Sequence, residues 1–218
     1  MNLLTAKEIR KSFTDRELFS GIDFSIEEQD KTGIVGINGT GKSTLLRILA
    51  GEEEPDAGEI VKGNRVWVRY LPQNPEFPKG ITLCDYVITA NRTEDNEWSI
   101  AGDGKEILNL MGFEDENEVI DHLSGGQKKM AALAAALTAP CDILLLDEPT
   151  NHLNSEMILW LEQALIRRKG ALVMVTHDRY FLDRVCNRIV ELRRGKLYSY
   201  QTNFEGYLEA KAKREEQE

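Results

Sequence analysis

Eight residues constrain this chain more than any others: Gly36-Ile37-Asn38-Gly39-Thr40-Gly41-Lys42-Ser43. They continue the short apolar run Gly33-Ile34-Val35 and open the helix-like stretch Lys42–Ala50, which Gly51 can stop in a left-handed cap. The order is strand, glycine loop, helix, at the spacing G-x-x-x-x-G-K-[ST]. Glycines there let main-chain N–H groups turn inward around phosphate oxygens, and the helix start adds positive potential. Lys42 then reaches the outer phosphates and Ser43 can ligate Mg²⁺. Without a ligand the same residues are a glycine turn on an ordinary α/β helix. The strand before and the helix after weigh against that plainer reading.

Two more apolar runs, Ile143-Leu144-Leu145-Leu146 and Ala171-Leu172-Val173-Met174-Val175, have the near-continuous character of parallel strands covered on both faces. Both end in polar groups: Asp147 and Glu148 after the first, Thr176-His177-Asp178 after the second. Ligands in open α/β sheets gather at such carboxyl ends. Asp147 is placed to hold Mg²⁺ and Glu148 to polarise a water as general base. One acidic pair at a strand end is commonly only solvated, and a lone His is more often a hydrogen-bonded loop residue; the phosphate loop upstream shifts both toward function. Gln73 follows Tyr70-Leu71-Pro72 and can ligate a metal or orient water, while Phe13 is either core or a platform for a base.

Leu123-Ser124-Gly125-Gly126-Gln127 opens another helix. Ser124 and Gln127 have capping-box spacing, which needs no ligand. Two glycines inside that cap cost helix stability and bare its N–H groups, as an anion-binding terminus requires. Two anion-competent helix starts in one chain hint at a site shared across a dimer.

Around these motifs, Phe24-Ser25-Ile26 and Val66-Trp67-Val68-Arg69-Tyr70 alternate as early strands. Residues 74–122 contain Pro75, Pro78 and acidic stretches, with one modest helix pattern over Glu106–Met111. They read as a small helical insert. From Asn203 onward Phe204, Tyr207, Leu208 and Lys211 fall at helical spacing, which predicts a helix projecting as a tail.

Composition bounds the setting. The 218 residues carry 27 Lys+Arg against 37 Asp+Glu, a formal charge of −10, which disfavours a domain that grips nucleic acid by bulk charge. Cys84, Cys141 and Cys186 are odd in number and stand in no C-x-x-C or Cys/His cluster, so they read as reduced structural thiols. No basic leader opens the chain and no apolar window reaches membrane-spanning length, so a cytoplasmic protein with no transmembrane segment is expected.

In this order the motifs resemble the nucleotide-binding domain of the ATP-binding cassette superfamily, over essentially residues 3–200. The resemblance implies an α/β P-loop NTPase with a RecA-like parallel-sheet core, an antiparallel β-subdomain and a small α-helical subdomain. It implies ATP and Mg²⁺ as ligands. Gly36, Asn38, Gly39, Thr40, Gly41, Lys42, Ser43 and Thr44 then correspond to the phosphate loop, and Phe13 to the aromatic that stacks on adenine. Gln73 matches the Q-loop, Asp147 the magnesium carboxylate, Glu148 the catalytic base and His177 the switch histidine. Ser124, Gly125, Gly126 and Gln127 match the signature that serves a partner domain in trans.

Within the superfamily, Glu148-Pro149-Thr150-Asn151-His152-Leu153 and Thr176-His177-Asp178-Arg179-Tyr180-Phe181-Leu182 resemble the ABC-F proteins, soluble ATPases that act on ribosomes. The short insert looks closest to the Uup-type branch, and the family's long helical arm is absent or very short. Where ABC-F proteins usually carry Asp after Asn-His-Leu, this chain has Asn154, which still suits a helix cap. The implied organisation is a cassette over residues 1–202, with its helical part at about 74–138, and the start of an inter-domain linker helix over 203–218. ABC-F proteins carry two cassettes, so a second cassette of a longer protein, or a self-dimer on ATP, is the expected partner, together with the ribosome. Rival readings are the ATPase subunit of a membrane transporter and an ATP-switched binding module without meaningful catalysis. A chromosome-maintenance ATPase needs a long coiled coil between Gln73 and Ser124, and that span is too short.

Overall fold

The computed structural model describes residues 1–14 and 16–216. Strands β1 (Asn2–Phe13) and β2 (Arg16–Glu27) pair antiparallel and, with β4 (Ala57–Lys62), make a three-stranded sheet in the order β2-β1-β4. Their inward residues Leu4, Ala6, Ile9, Ile22, Phe24 and Ile26 are all buried, the period-two pattern of a half-covered sheet, broken once in β1 by a bulge between Ala6 and Ile9.

The larger sheet has the order β5-β6-β7-β3-β8-β9, from β3 (Lys31–Val35), β5 (Val68–Leu71), β6 (Ile143–Asp147), β7 (Ala171–Val175), β8 (Arg188–Arg193) and β9 (Lys196–Tyr200). Its pairings are parallel except at β8 and β9. Alternate residues of β6 and β7 feed two different cores. Leu144, Leu146, Leu172 and Met174 pack with the helical insert on one face, while Ile143, Leu145, Val173 and Val175 pack with α1 (Lys42–Ala50) and the antiparallel sheet on the other. This double cover is why both strands are apolar at every position but the last. The expected class, a parallel core with an antiparallel part and a helical part, is the one found.

The insert holds α2 (Leu83–Asn91), α3 (Ile100–Leu110), a single 3-10 turn at Ile120–His122 and α4 (Gly125–Thr138). Leu83, Val87, Leu108 and Ile120 close its interior against Ala131–Ala136. The buried Asn91 amide donates to Ala135 O at 2.7 Å, fastening α2 to α4. The helix pattern at Glu106–Met111 covers the second half of α3 and its C-cap Met111, and α2 carries no counterpart among the expected helices. β5 also begins two residues later than the alternation predicts. The Trp67 N–H donates to the Asp142 carboxylate and the Trp67 carbonyl accepts from Asp142 and Ile143, which ends regular pairing there.

Helices α5 (Ser155–Arg167) and α6 (Arg179–Val185) complete the core layer, α5 capped by Asn154 Oδ1, which accepts from Met157 N at 2.9 Å. Asn203 caps α7 (Phe204–Glu215). This helix lies against the sheet and does not project from it. Buried Glu191 on β8 takes Lys211 at 2.7 Å, Arg214 at 2.9 Å and the Tyr207 hydroxyl at 3.1 Å. Burial pushes the Glu191 carboxyl up, but the hydrogen bonds from Lys211 and Arg214 outweigh it and hold the group below its ordinary range. The final two residues of the expected linker, 217 and 218, lie outside the described residues. Among the described residues no helix is long and apolar enough to cross a membrane.

Candidate nucleotide-binding site

The loop between β3 and α1 cannot be built from ordinary residues. Gly36 has φ 157°, and a Cβ on it would stand 2.6 Å from the Leu192 carbonyl oxygen. Gly41 has φ 101°, and a Cβ there would press on the Phe19 ring at 3.0 Å. Gly41 is also the N-cap of α1 and brings no side-chain acceptor, so the first-turn N–H groups of this helix have no capping side chain. Lys42 folds back over the loop, donating to Gly36 O at 2.8 Å and Ile37 O at 3.1 Å. Burial lowers its pKa, opposed by the charges of Glu148 and Asp147.

A cavity of about 500 Å³ opens in front of this loop. Phe13, Asn38, Gly39, Gly41, Lys42, Ser43, Thr44, Gln73, Asp147, Glu148 and His177 line it, so eleven of the positions singled out from the sequence meet at one place. Phe13 ends β1 at the mouth, about half exposed, with the Lys11 ammonium 5.4 Å from its ring. Gly36 and Thr40 face the other way, into a neighbouring hollow against α7, and the Thr40 hydroxyl donates to Ile37 O at 2.9 Å. In this structure Gly36 makes room for the Leu192 carbonyl and the Thr40 hydroxyl ties the loop to itself. Ser124, Gly125, Gly126 and Gln127 stand away from this cavity; of these, Gly125 lines a second hollow that also touches Gln73. Leu18, Asn151 and Val175 complete the wall. They were not among the candidate residues. Asn151 lies within the run Glu148–Leu153, which marks it, whereas Leu18 and Val175 look like any core residue.

The carboxylates sit at the back. Asp147 is 2% exposed; its Oδ2 is 3.5 Å from the Tyr70 hydroxyl and its Oδ1, fully buried, has no hydrogen-bond partner among the described residues. Its neighbour Glu148 adopts φ 48°, a conformation that costs a non-glycine residue energy and persists where the surroundings enforce it. Here the Glu148 N–H donates to Val175 O at 2.8 Å, and one carboxylate oxygen accepts from the His177 N–H at 3.3 Å. The other lies 3.3 Å from His177 Nε2, on a ring that is largely exposed. Burial raises the Glu148 pKa, against the pull of His177.

A divalent cation held by one carboxylate, one hydroxyl and phosphate oxygens fits these residues. The unpartnered Asp147 Oδ1 supplies the carboxylate and Ser43 the hydroxyl, and among the described residues no cluster of three or more His, Cys, Asp or Glu offers a dedicated metal cage. The fold and this geometry define a P-loop nucleotide-binding domain. The chain belongs to the ABC transporter family, whose sequence profile matches residues 19–151. It is an ABC ATPase domain.

Its curated relatives include a protein of Bacillus subtilis named as the uncharacterized ABC transporter ATP-binding protein YfmR, 41% identical across 100% of this chain and 40% of its own length. The energy-dependent translational throttle protein EttA of Mycobacterium tuberculosis is 33% identical over 97% of the chain and 44% of itself. The ATP-binding protein Uup of Buchnera aphidicola is 34% identical over 97% and 36%. The chain therefore spans about two fifths of the length of these relatives. Among solved structures, the ATP-binding subunit of an ABC transporter superposes with a TM-score of 0.79 over 91% of this chain and 90% of its own, at 20% identity. That likeness is one of fold.

Proposed function

We propose that this chain is the first cassette of an ABC-F ATPase, that it hydrolyses ATP with Mg²⁺, and that the whole protein acts in the cytoplasm on the ribosome. The observation that carries the hydrolytic part is the pairing of Glu148 with His177 beside the unpartnered Asp147 Oδ1, all three on the wall that faces the phosphate loop. In this reading Phe13 stacks on adenine, and the open start of α1 with Lys42 binds the phosphates. Ser43, Asp147 and Gln73 would hold the cation, which would supply charge neutralisation at the phosphates. Glu148 accepts the proton of the attacking water, and its buried setting suits a base whose affinity for a proton exceeds that of a free carboxylate. His177 orients Glu148 and faces the outermost phosphate.

The signature residues Ser124–Gln127 lie outside the cavity, so the site is completed by the same turn of a second cassette. The names of relatives such as EttA support the translation role, and their greater length supports a second cassette. The alignment with Uup runs over 216 positions, close to this chain's 218 residues, while those with YfmR and EttA run over 253 and 247, so the latter carry residues this chain lacks. That favours the Uup-type branch. We assign residues 1–202 to the cassette, about 74–138 to its helical part, and α7 to the start of the linker.

The test uses Glu148→Gln. Turnover is expected to fall at least about a hundredfold with ATP binding kept, the loss seen when a base is removed from an assembled site. In the full-length protein, the same variant should pellet with ribosomes when ATP is present. Absence of ribosome enrichment with co-purification of a transmembrane protein would establish the transporter reading.

A further inference from the structure

Lys129 is a lysine in the second turn of α4, yet it is 3% exposed. Burying an ammonium with no counter-ion is costly and rarely accidental. Among the described residues it forms no ion pair and donates to two main-chain carbonyls, Gln73 O at 3.1 Å and Pro72 O at 3.4 Å. Burial lowers its pKa, opposed first by the charge of Asp147 and then by that of Glu148, so its ammonium lies in the field of the carboxylate pair. The two carbonyls belong to the segment that leaves β5 and delivers Gln73 to the cavity. Five residues before Lys129, on the same helix, stands Ser124 at the cap.

We propose that Lys129 is a positioning residue that ties the Gln73 main chain to the helix bearing Ser124–Gln127. Gln73 enters the cavity at a place set by α4, and any displacement of the α4 start, as by a second cassette, is carried to Gln73. This rests on the ATPase reading above, and it assigns to one buried ammonium the link between the cavity wall and the signature turn. Lys128, one residue earlier and half-buried, has no such contact among the described residues.

The experiment is a double-mutant cycle between Lys129→Met and Gln73→Ala in this chain. It follows steady-state ATP turnover at high protein concentration, binding of a fluorescent ATP analogue, and thermal melting. Lys129→Met should lower kcat about tenfold, as a small misplacement of a site group does, with KM changed less than about threefold. Gln73→Ala should do the same. The double variant should be no slower than the slower single, because each removes the same contribution. Lys129→Arg, which keeps the charge, should recover part of the rate. Losses that multiply to about a hundredfold, or a Lys129→Met effect seen only in melting, overturn the proposal. Should the methionine variant fail to fold, the cycle is run with Lys129→Gln, whose neutral, shorter side chain keeps some polarity but cannot reproduce the ammonium's two contacts. Wild-type turnover with a silent Gln73→Ala removes Gln73 from the reaction and the strut with it, while no turnover in the wild type strikes the ATPase reading first.

Discussion

Two helices in this molecule begin on glycine-rich turns, and they satisfy their first N–H groups in opposite ways. At α1 the cap is Gly41, in a left-handed conformation with no side-chain acceptor, and the helix start looks into the 500 Å³ cavity. At α4 the cap is a closed reciprocal box, with Ser124 Oγ accepting from Gln127 N at 3.3 Å and Gln127 Oε1 accepting from Ser124 N at 2.9 Å. The first is open to an anion as it stands. The second is internally satisfied, so a phosphate reaching it must displace side-chain bonds already made or bind at the groups the box leaves over. Glycine at a helix start therefore does not by itself mark a ligand site; whether a side chain fills the cap decides the matter.

The largest test of this contrast is Lys42→Ala. Removing the cation at the open start should weaken ATP binding at least about a hundredfold by calorimetry, in line with the loss of a charged contact to phosphate. Binding within threefold of wild type would reduce α1 to an ordinary helix start. Gly41→Ala comes next: the left-handed φ and the Phe19 ring should together cost about 2–3 kcal/mol in denaturant melts. A stabilised variant would mean that the loop relaxes freely, contrary to a preformed cradle. The smallest effect belongs to the closed start. Ser124→Ala should cost about 1 kcal/mol of stability and leave ATP binding by the single chain unchanged. A parallel loss of affinity would show that α4 already touches nucleotide within one chain, and the contrast would collapse.

What the residues reveal in advance follows a physical division. α1 ran from Lys42 to Ala50 as expected, because an apolar strand, a glycine loop and a left-handed Gly51 are local signals with few alternative conformations. α2 was not legible. Its buried positions Leu83, Val87 and Asn91 follow a proline-rich approach, and it is held by packing on α3 and α4 that no local pattern displays. At the site, strand ends foretold Asp147, Glu148 and His177, since the ends of parallel strands converge wherever the sheet forms. Thr40 shows the opposite limit: the motif names the position, but its side chain serves the loop. Lys129 was hidden in a run of two lysines that reads as a solvated helix face, and its burial comes from the segment around Gln73, more than fifty residues away in the chain.

The seating of α7 on β8 has a mechanical meaning. Glu191, which grips three side chains of that helix, stands opposite Val35 in the parallel register, and Gly36 begins the phosphate loop at the next residue. Leu192, adjoining Glu191, presents its carbonyl so close to Gly36 that only a missing side chain makes room. Helix and loop are separated by a hollow and joined through β8, which holds α7 at Glu191 and touches the loop at Leu192: one strand serves as a fulcrum, with α7 as the lever on one side and the loop as the load on the other. A pull on α7 is therefore expected to reach Gly36 by way of Glu191 and Leu192, and a shift of the loop to return to the helix by the same route.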